Sequence, residues 1–345
     1  VFGTVLAAEE VAMAPTMTDG PVRGEAAWRG DDLRRHPGWI ERWSPAELAA
    51  FDDLVARRPA PPIEGLIELG PDDLALPAIE ERVARWRPTL FGGRGLLLVR
   101  GLPVERWTDD ESGLVYWAIG QAIGMPIAQN PANEVLGHVT DTGRQHSDPQ
   151  VRLYQTNADI RYHVDGAAVV GLACLRTARS GGASRVMSSV TVHDEVWRRR
   201  PDLAPELFGR FPVDRRDEQA PGEEPYWLVP MARWDGDRLR TFFHADYMAS
   251  SQRHPTAPRF TESQRQLLEL IDEIGADPDI HLDMEFRPGD IQLIANETTV
   301  HARTGYVDWP DPDRRRHLLR LWLDRRRPGD RRPYDATRFG SRGRP

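Results

Sequence analysis

Residues 163–176 read HVDGAAVVGLACLR: the polar tripeptide His163-Val164-Asp165 runs directly into an apolar segment. Ala167–Arg176 has the length and texture of a buried strand, far short of the roughly 20 apolar residues a membrane helix needs. Around it, after Gly124, the chain turns to strands and turns. Arg152–Thr156, Arg185–Ser189, Leu282–Phe286, Asp290–Ala295, Val300–Thr304 and Leu318–Leu323 all read as strands. Ser180–Gly182 and Pro288-Gly289 read as turns, and Asp235-Gly236 as a hairpin turn between Trp227–Met231 and Leu239–Phe243. Two helical regions interrupt them. Thr191–Phe208 is broken by Pro201, and Thr261–Ile274 is amphipathic and closed by Gly275.

The first third is different. Ser44, Pro45 and Glu47 form a helix start before Leu48 and Leu54, Ala78–Trp86 carries Ile79, Val83 and Trp86 on one face, and Glu111–Ile123 is a third helix. Leu96–Arg100 is an apolar strand released by Gly92–Gly95, which form a turn and not a phosphate loop, because no Lys-Ser/Thr follows them. Many strands with peripheral helices predict a β-rich α+β fold, a double-stranded β-helix (jelly roll, cupin-like) with helices packed outside. The strand–helix alternation of a Rossmann sheet is missing from the C-terminal half. One domain is expected over residues 31–326, with its helical N-terminal portion packed on the barrel. A poorly ordered segment is expected at 1–30 and a basic, solvated tail at 327–345. The chain begins with Val1 and has Met13 and Met17, and its apolar start lacks a basic region, so a mis-assigned or alternative start is expected over a signal peptide.

Composition narrows the function. A formal net charge of -8 argues against a nucleic-acid binder, and no run is apolar enough to span a membrane. The single cysteine, Cys174, cannot form an internal disulfide and sits in an apolar run, so a buried thiol and a reducing cytoplasm are expected. The expected partner is a small molecule, and self-association into a homo-oligomer is left open.

The chemistry lies in His163 and Asp165. In an extended segment, positions i and i+2 point to the same side, so the imidazole and the carboxylate can reach one ion. The tripeptide alone is weak. A second histidine, His301, lies far downstream at the start of a strand pair. After it comes Arg316-His317-Leu318-Leu319-Arg320-Leu321-Trp322-Leu323, in which Arg316, Leu318, Arg320 and Trp322 share one face. Two arginines aimed the same way from an apolar strand call for an anion to meet them. Two histidines and a carboxylate on one side of an iron(II) would leave adjacent positions open for a co-substrate and dioxygen.

In combination and in this order, several motifs carry a family resemblance. They are Leu96-Leu97-Leu98-Val99-Arg100-Gly101-Leu102-Pro103, His163-Val164-Asp165, Gly181-Gly182-Ala183-Ser184, Arg287-Pro288-Gly289-Asp290, Asn296 before His301-Ala302-Arg303-Thr304, and Arg316-His317-Leu318-Leu319-Arg320. From Leu96 to Leu323 the chain resembles the taurine dioxygenase/TfdA-like family of iron(II)- and 2-oxoglutarate-dependent dioxygenases. The resemblance implies Fe(II), 2-oxoglutarate and O2 as cofactor and co-substrates, with succinate and CO2 released as a small, anionic or amino-acid-like metabolite is hydroxylated. By position it implies that His163, Asp165 and His301 bind iron and that Arg316 grips the distal carboxylate of 2-oxoglutarate with help from Ser184. Arg320 matches a residue that meets the substrate's anion in sulfonate-using relatives. Val164 stands where Thr or Asn is commoner, and Asp165 is an acid, so the open halide site of related halogenases is not expected. Tyr154, Asn157 and Val164 are candidate substrate-lining residues. His138, His146, His244, His254 and His281 have no defensible His, Asp or Glu partner at ligand spacing and are expected to be surface or structural residues. The alternative is a cupin-like metal-binding sensor or isomerase without 2-oxoglutarate turnover, and Arg316 argues against it.

Overall fold

The computed structural model describes residues 22, 24–130, 132–144, 151–236 and 238–335. Two sheets form its centre. The larger has seven strands: Ile40–Arg42, Leu96–Arg100, Ile291–Ala295, Val169–Arg176, His317–Asp324 and Met125–Pro126 lie side by side, and Leu136–Val139 also pairs with His317–Asp324. All its pairings are antiparallel except that of Ile40–Arg42 with Leu96–Arg100. The smaller sheet orders Leu282–Met284, Ser184–Ser188, Thr299–Arg303 and Ile160–His163, all antiparallel.

Successive side chains on a strand point to opposite faces, and here both faces are covered, which is why these strands are apolar almost throughout. Leu96, Leu98, Val170, Ile294 and Trp322 of the large sheet pack against Val186, Leu282 and Met284 of the small one. Their neighbours Leu97, Val99, Leu293, Leu319, Leu321 and Leu323 face outward, onto Phe51, Leu54, Trp86, Leu90 and Trp117 of the helices Pro45–Arg57, Glu80–Gly92 and Asp109–Ile123. Behind the small sheet, Tyr162, Met187 and Val300 pack on Val196, Leu267 and Ile271 of the helices Ser189–Arg199 and Glu262–Ala276. This is the expected jelly roll with helices on the outside.

Local chemistry explains the helix starts. Ser44 and Glu47 form a reciprocal capping box with Pro45 in the first turn, and Thr108 with Glu111 repeats it. Some elements differ from expectation. Arg152–Thr156 is not a strand: Leu153–Gln155 is a 3-10 turn, although Tyr154 and Thr156 are residue types that favour strands. The turn at Gly236 joins Ala232–Asp235 to Arg238–Thr241, while Tyr226–Pro230 pairs with Arg210–Asp214. A two-residue turn pairs its immediate neighbours, so the hairpin strands begin closer to it than expected. Past Pro201 the chain makes a 3-10 helix, Ala204–Phe208. Gly275 does not end its helix. It lies inside Glu262–Ala276, where a Cβ would come within 2.5 Å of the Tyr162 ring.

Of the leader expected to be poorly ordered, residues 1–21 and 23 lie outside the described residues, but Trp28 and Gly30 are packed. Trp28 is buried and its Nε1 donates to Arg94 O at 3.0 Å. From the C-terminal segment, Pro333 O accepts from Gln121 Nε2 at 2.6 Å, and residues 336–345 lie outside the described residues. No helix among the described residues is long and apolar enough to cross a membrane.

Candidate metal centre

His163 ends its strand directly opposite His301 on the neighbouring one, with ring centroids 4.2 Å apart. Asp165 follows on the turn leading into the central strand. Ligand atoms of His163, Asp165 and His301 lie within 4.8 Å of one another, the spacing one ion would bridge. His163 Nδ1 lies 2.9 Å from Arg161 O, which makes Nδ1 the donor and leaves Nε2 with its lone pair free. His301 Nε2 is 3.7 Å from Asp165 Oδ2, and that oxygen is buried with no hydrogen-bond partner. Burial would raise the Asp165 pKa, but Arg320, His301 and His163 outweigh it and hold the carboxyl ionised, below its usual range. Burial, with His163 alongside, pushes His301 down to about 3, so its imidazole is neutral. A buried carboxylate oxygen without a partner beside two imidazoles fits a divalent cation.

The three residues open onto a pocket between the sheets, lined also by Tyr154, Leu172, Ser184, Phe286, Arg316 and Arg320. Arg316 is 4% exposed, and its Nη1 is buried without a hydrogen-bond partner. Ser184 is buried in the same wall, its Oγ donating to Gln292 Oε1 at 3.1 Å. Arg320 donates through Nε to Gln129 Oε1 at 2.7 Å, lies 4.3 Å from the Tyr154 ring centroid, and approaches Asp165 Oδ1 to 3.7 Å. The alternation expected for the last strand thus holds, with Arg316, Arg320 and Trp322 lining the pocket. Val164 borders the pocket but packs mainly into the apolar cluster behind the small sheet, its N–H donating to Phe243 O at 2.8 Å. Asn157 does not belong there. It is exposed and outside the pocket lining, and its carbonyl accepts the Tyr306 N–H at 3.0 Å.

Sequence reasoning missed two residues. Arg303 lines the pocket, and burial, with Arg316 beside it, lowers its pKa to about 10. The rule that pairs His163 with Asp165 would have found it, since Arg303 stands two positions after His301 on one strand. His244, expected to be structural, also lines the pocket, its ring 5.0 Å from His163 and stacked on Tyr247, and burial pushes its pKa well down. The one sequence signal is Asp246 two positions on, the spacing that also joins His163 to Asp165, and His146 lies outside the described residues. His254 is structural, bonded to Asp214 at 3.0 Å, and His138 contacts His317 at 2.8 Å outside the pocket lining.

Comparison with known proteins agrees with this geometry. The profile of the family described as taurine catabolism dioxygenase TauD, TfdA family, matches residues 57–322. FR-33289 synthase of Streptomyces rubellomurinus is 28% identical over 312 residues, covering 88% of this chain and 90% of that protein. Uridine-5'-phosphate dioxygenase of an Amycolatopsis species is 25% identical over 216 residues, 59% of this chain and 77% of that one. Among solved structures, an asparagine oxygenase in complex with Fe(II), hydroxyasparagine and succinate superposes with a TM-score of 0.64 at 15% identity, covering 83% of this chain and 94% of that one. The non-heme iron oxygenase OrfP in complex with Fe and alpha-ketoglutaric acid gives 0.59 at 14%, covering 83% and 94%.

Proposed function

This chain belongs to the taurine catabolism dioxygenase TauD, TfdA family, and on that premise we propose that His163, Asp165 and His301 hold its iron(II) while Arg316 and Ser184 hold 2-oxoglutarate. It is a 2-oxoglutarate-dependent oxygenase. The observation that carries the assignment is the single pocket in which three metal-ligating side chains converge below a buried guanidinium whose Nη1 has no partner. Family membership and that guanidinium together set aside a metal-binding barrel without 2-oxoglutarate turnover.

The bound iron, with 2-oxoglutarate and dioxygen, supplies oxidation of a substrate C–H bond to C–OH, coupled to release of succinate and CO2. The protein's own residues do the rest. The two imidazoles and the carboxylate fill one side of the ion and leave the other to ligands. Arg316 pairs with the distal carboxylate through its fork, and Ser184, fixed by Gln292, assists. Val170, Leu172 and Phe286 supply a dry apolar wall. Arg320, fixed by Gln129 and flanked by Tyr154 and Trp322, faces the substrate. The primary substrate in this reading is a small anionic or amino-acid-like metabolite. A relative named for a uridine phosphate, and a fold neighbour solved with hydroxyasparagine, support that class. A cytoplasmic setting belongs to the same reading and is supported by the buried, unpaired Cys174.

Iron(II) and 2-oxoglutarate added without oxygen should develop the weak visible charge-transfer band of the chelate. His163→Ala and Asp165→Ala should each abolish it. A full band or full turnover in either variant refutes the ligand assignment. Arg316→Ala should raise the apparent Kd for 2-oxoglutarate at least tenfold, the scale of a lost charge-assisted pair. An unchanged value moves that role to another arginine of the pocket.

A further inference from the structure

The pocket holds more positive charge than iron and 2-oxoglutarate can use, and this deepens the proposed function and rests on it. Its permanently charged lining residues are Arg152, Asp165, Arg303, Arg316 and Arg320. Arg152 is neutralised by an ion pair with Glu218. Arg303 and Arg316 form no ion pair with a carboxylate among the described residues. Both are more than nine-tenths buried, and Nε and Nη1 of Arg303 and Nη1 of Arg316 have no hydrogen-bond partner. Asp159 and Asp308 lie near enough to favour these cations electrostatically but form no ion pair with them: Asp159 Oδ1 accepts the Gly305 N–H at 2.8 Å, and Asp308 Oδ1 accepts the Arg316 N–H at 2.8 Å.

With iron(II) in place, Asp165 cancels one of its two charges. The 2-oxoglutarate dianion cancels the other and that of Arg316. Arg303 and Arg320 are then left over, each with a buried cation, because the carboxylate that Arg320 leans on at 3.7 Å is the one the metal takes. Two buried cations with no carboxylate paired to them are strongly unfavourable, and both are held in place. Arg303 is anchored along one edge by the carbonyls of Thr156 and Ala158, and Arg320 by Gln129. A fixed guanidinium with an open edge loses little freedom when an oxyanion docks.

We propose that the primary substrate brings two negative charges into this pocket, as one phosphonate or phosphate-monoester group or as a pair of carboxylates, and that Arg303 and Arg320 recognise them. A monoanion such as a sulfonate or a single carboxylate leaves one arginine unpaired, and an amino-acid zwitterion adds no net negative charge.

The test uses the full chain with iron(II) and saturating 2-oxoglutarate under anaerobic conditions, with ligand binding read by calorimetry and by the shift of the charge-transfer band. The probes are propylphosphonate, propyl phosphate, glutarate, propanesulfonate and butyrate. The dianions should bind at least tenfold more tightly than the monoanions, about the value of one charge-assisted pair. Propylphosphonate affinity should fall as pH is lowered through its second ionisation while that of propanesulfonate stays flat. The phosphonate, phosphate and glutarate arms distinguish the carriers of charge, and a glutarate that merely displaces 2-oxoglutarate is recognised because the band disappears instead of shifting. Equal binding of propanesulfonate and propylphosphonate overturns the proposal, and this comparison needs no variant. Arg303→Gln and Arg320→Gln should each reduce the dianion preference to within about threefold of the monoanion. A preference that survives in Arg303→Gln while 2-oxoglutarate binding weakens would overturn the assignment of Arg303. Absence of the band before any probe is added would instead fail the iron and 2-oxoglutarate reading.

Discussion

Asn296 shows how much of the proposed metal centre depends on a residue that cannot itself be a ligand. Its Oδ1 accepts the Asp165 N–H at 2.9 Å and its Nδ2 donates to Ala167 O at 2.9 Å, so one buried amide straddles the turn carrying the carboxylate. Partners behind a metal ligand fix its orientation, and losing one commonly weakens metal binding about ten- to a hundredfold. Asn296→Ala should therefore lower iron(II) affinity by that order while leaving the Arg316 wall intact. Competition against a metal chelator measures it. Unchanged iron affinity would mean that the turn holds itself. Asn296→Asp keeps the acceptor for Asp165 but loses the donor to Ala167, and should fall between the two. In the sequence Asn296 could be noticed as part of a motif, but its partners are 131 and 129 positions away, and no local pattern gives that distance. Arg303 is the opposite case, legible by strand alternation from His301.

At the scale of elements, the strands buried on both faces could be read from sequence because continuous apolar runs such as Leu96–Arg100 and Ile291–Ala295 have few other uses. The 3-10 turn at Leu153–Gln155 could not, since Tyr154 and Thr156 favour a strand by residue type. The segment before the first helix was also hidden, because what fixes it lies far along the chain. Thr191 Oγ1 donates to Trp28 O at 2.7 Å, and Arg29 pairs with Glu195 at 2.8 Å. Glu195 also holds Arg198 and Arg199. Burial would raise its pKa, but Arg198, Arg199 and Arg29 together bring it down to about 2. A depressed folded-state pKa contributes stability above the unfolded value of about 4.3, and that contribution is lost as pH falls through about 2. Glu195→Gln should thus cost about 1 kcal/mol at neutral pH, a figure kept small because the arginines are partly solvated. The difference from wild type should shrink to nothing in strong acid. Urea midpoints across this range check the sign; a gap that widens toward low pH would contradict it.

For the whole molecule, the question is whether the helical first third is a layer of the fold or an attached unit. The sequence lacks a flexible linker there, and the core supports one cooperative body over the described residues. Trp43, Phe51, Leu54, Ile79, Trp86 and Leu90 share a single buried cluster with Leu293, Leu319, Leu321 and Leu323 of the large sheet. That sheet draws its strands from Ile40–Arg42 through His317–Asp324, so its two ends in sequence are joined through hydrogen-bonded neighbours. Each of those six helical-layer side chains contributes roughly 1.5–3 kcal/mol by burial. Together, at about 9–18 kcal/mol, they match the whole net stability of about 5–15 kcal/mol typical of a folded domain. We therefore expect tryptophan fluorescence and far-ultraviolet circular dichroism to report one coincident unfolding transition in urea. A chain that begins at Arg94 keeps the central strands and the helix Asp109–Ile123 over Leu321, but without Glu80–Gly92 it exposes Leu97, Val99 and Leu293 to water. It should retain strand signal, lose near-ultraviolet dichroism and associate. Two separated transitions in the intact chain, or a monomeric and well-packed fragment from Arg94 onward, would show that the barrel stands without the helices before Arg94 and that the pocket does not depend on them.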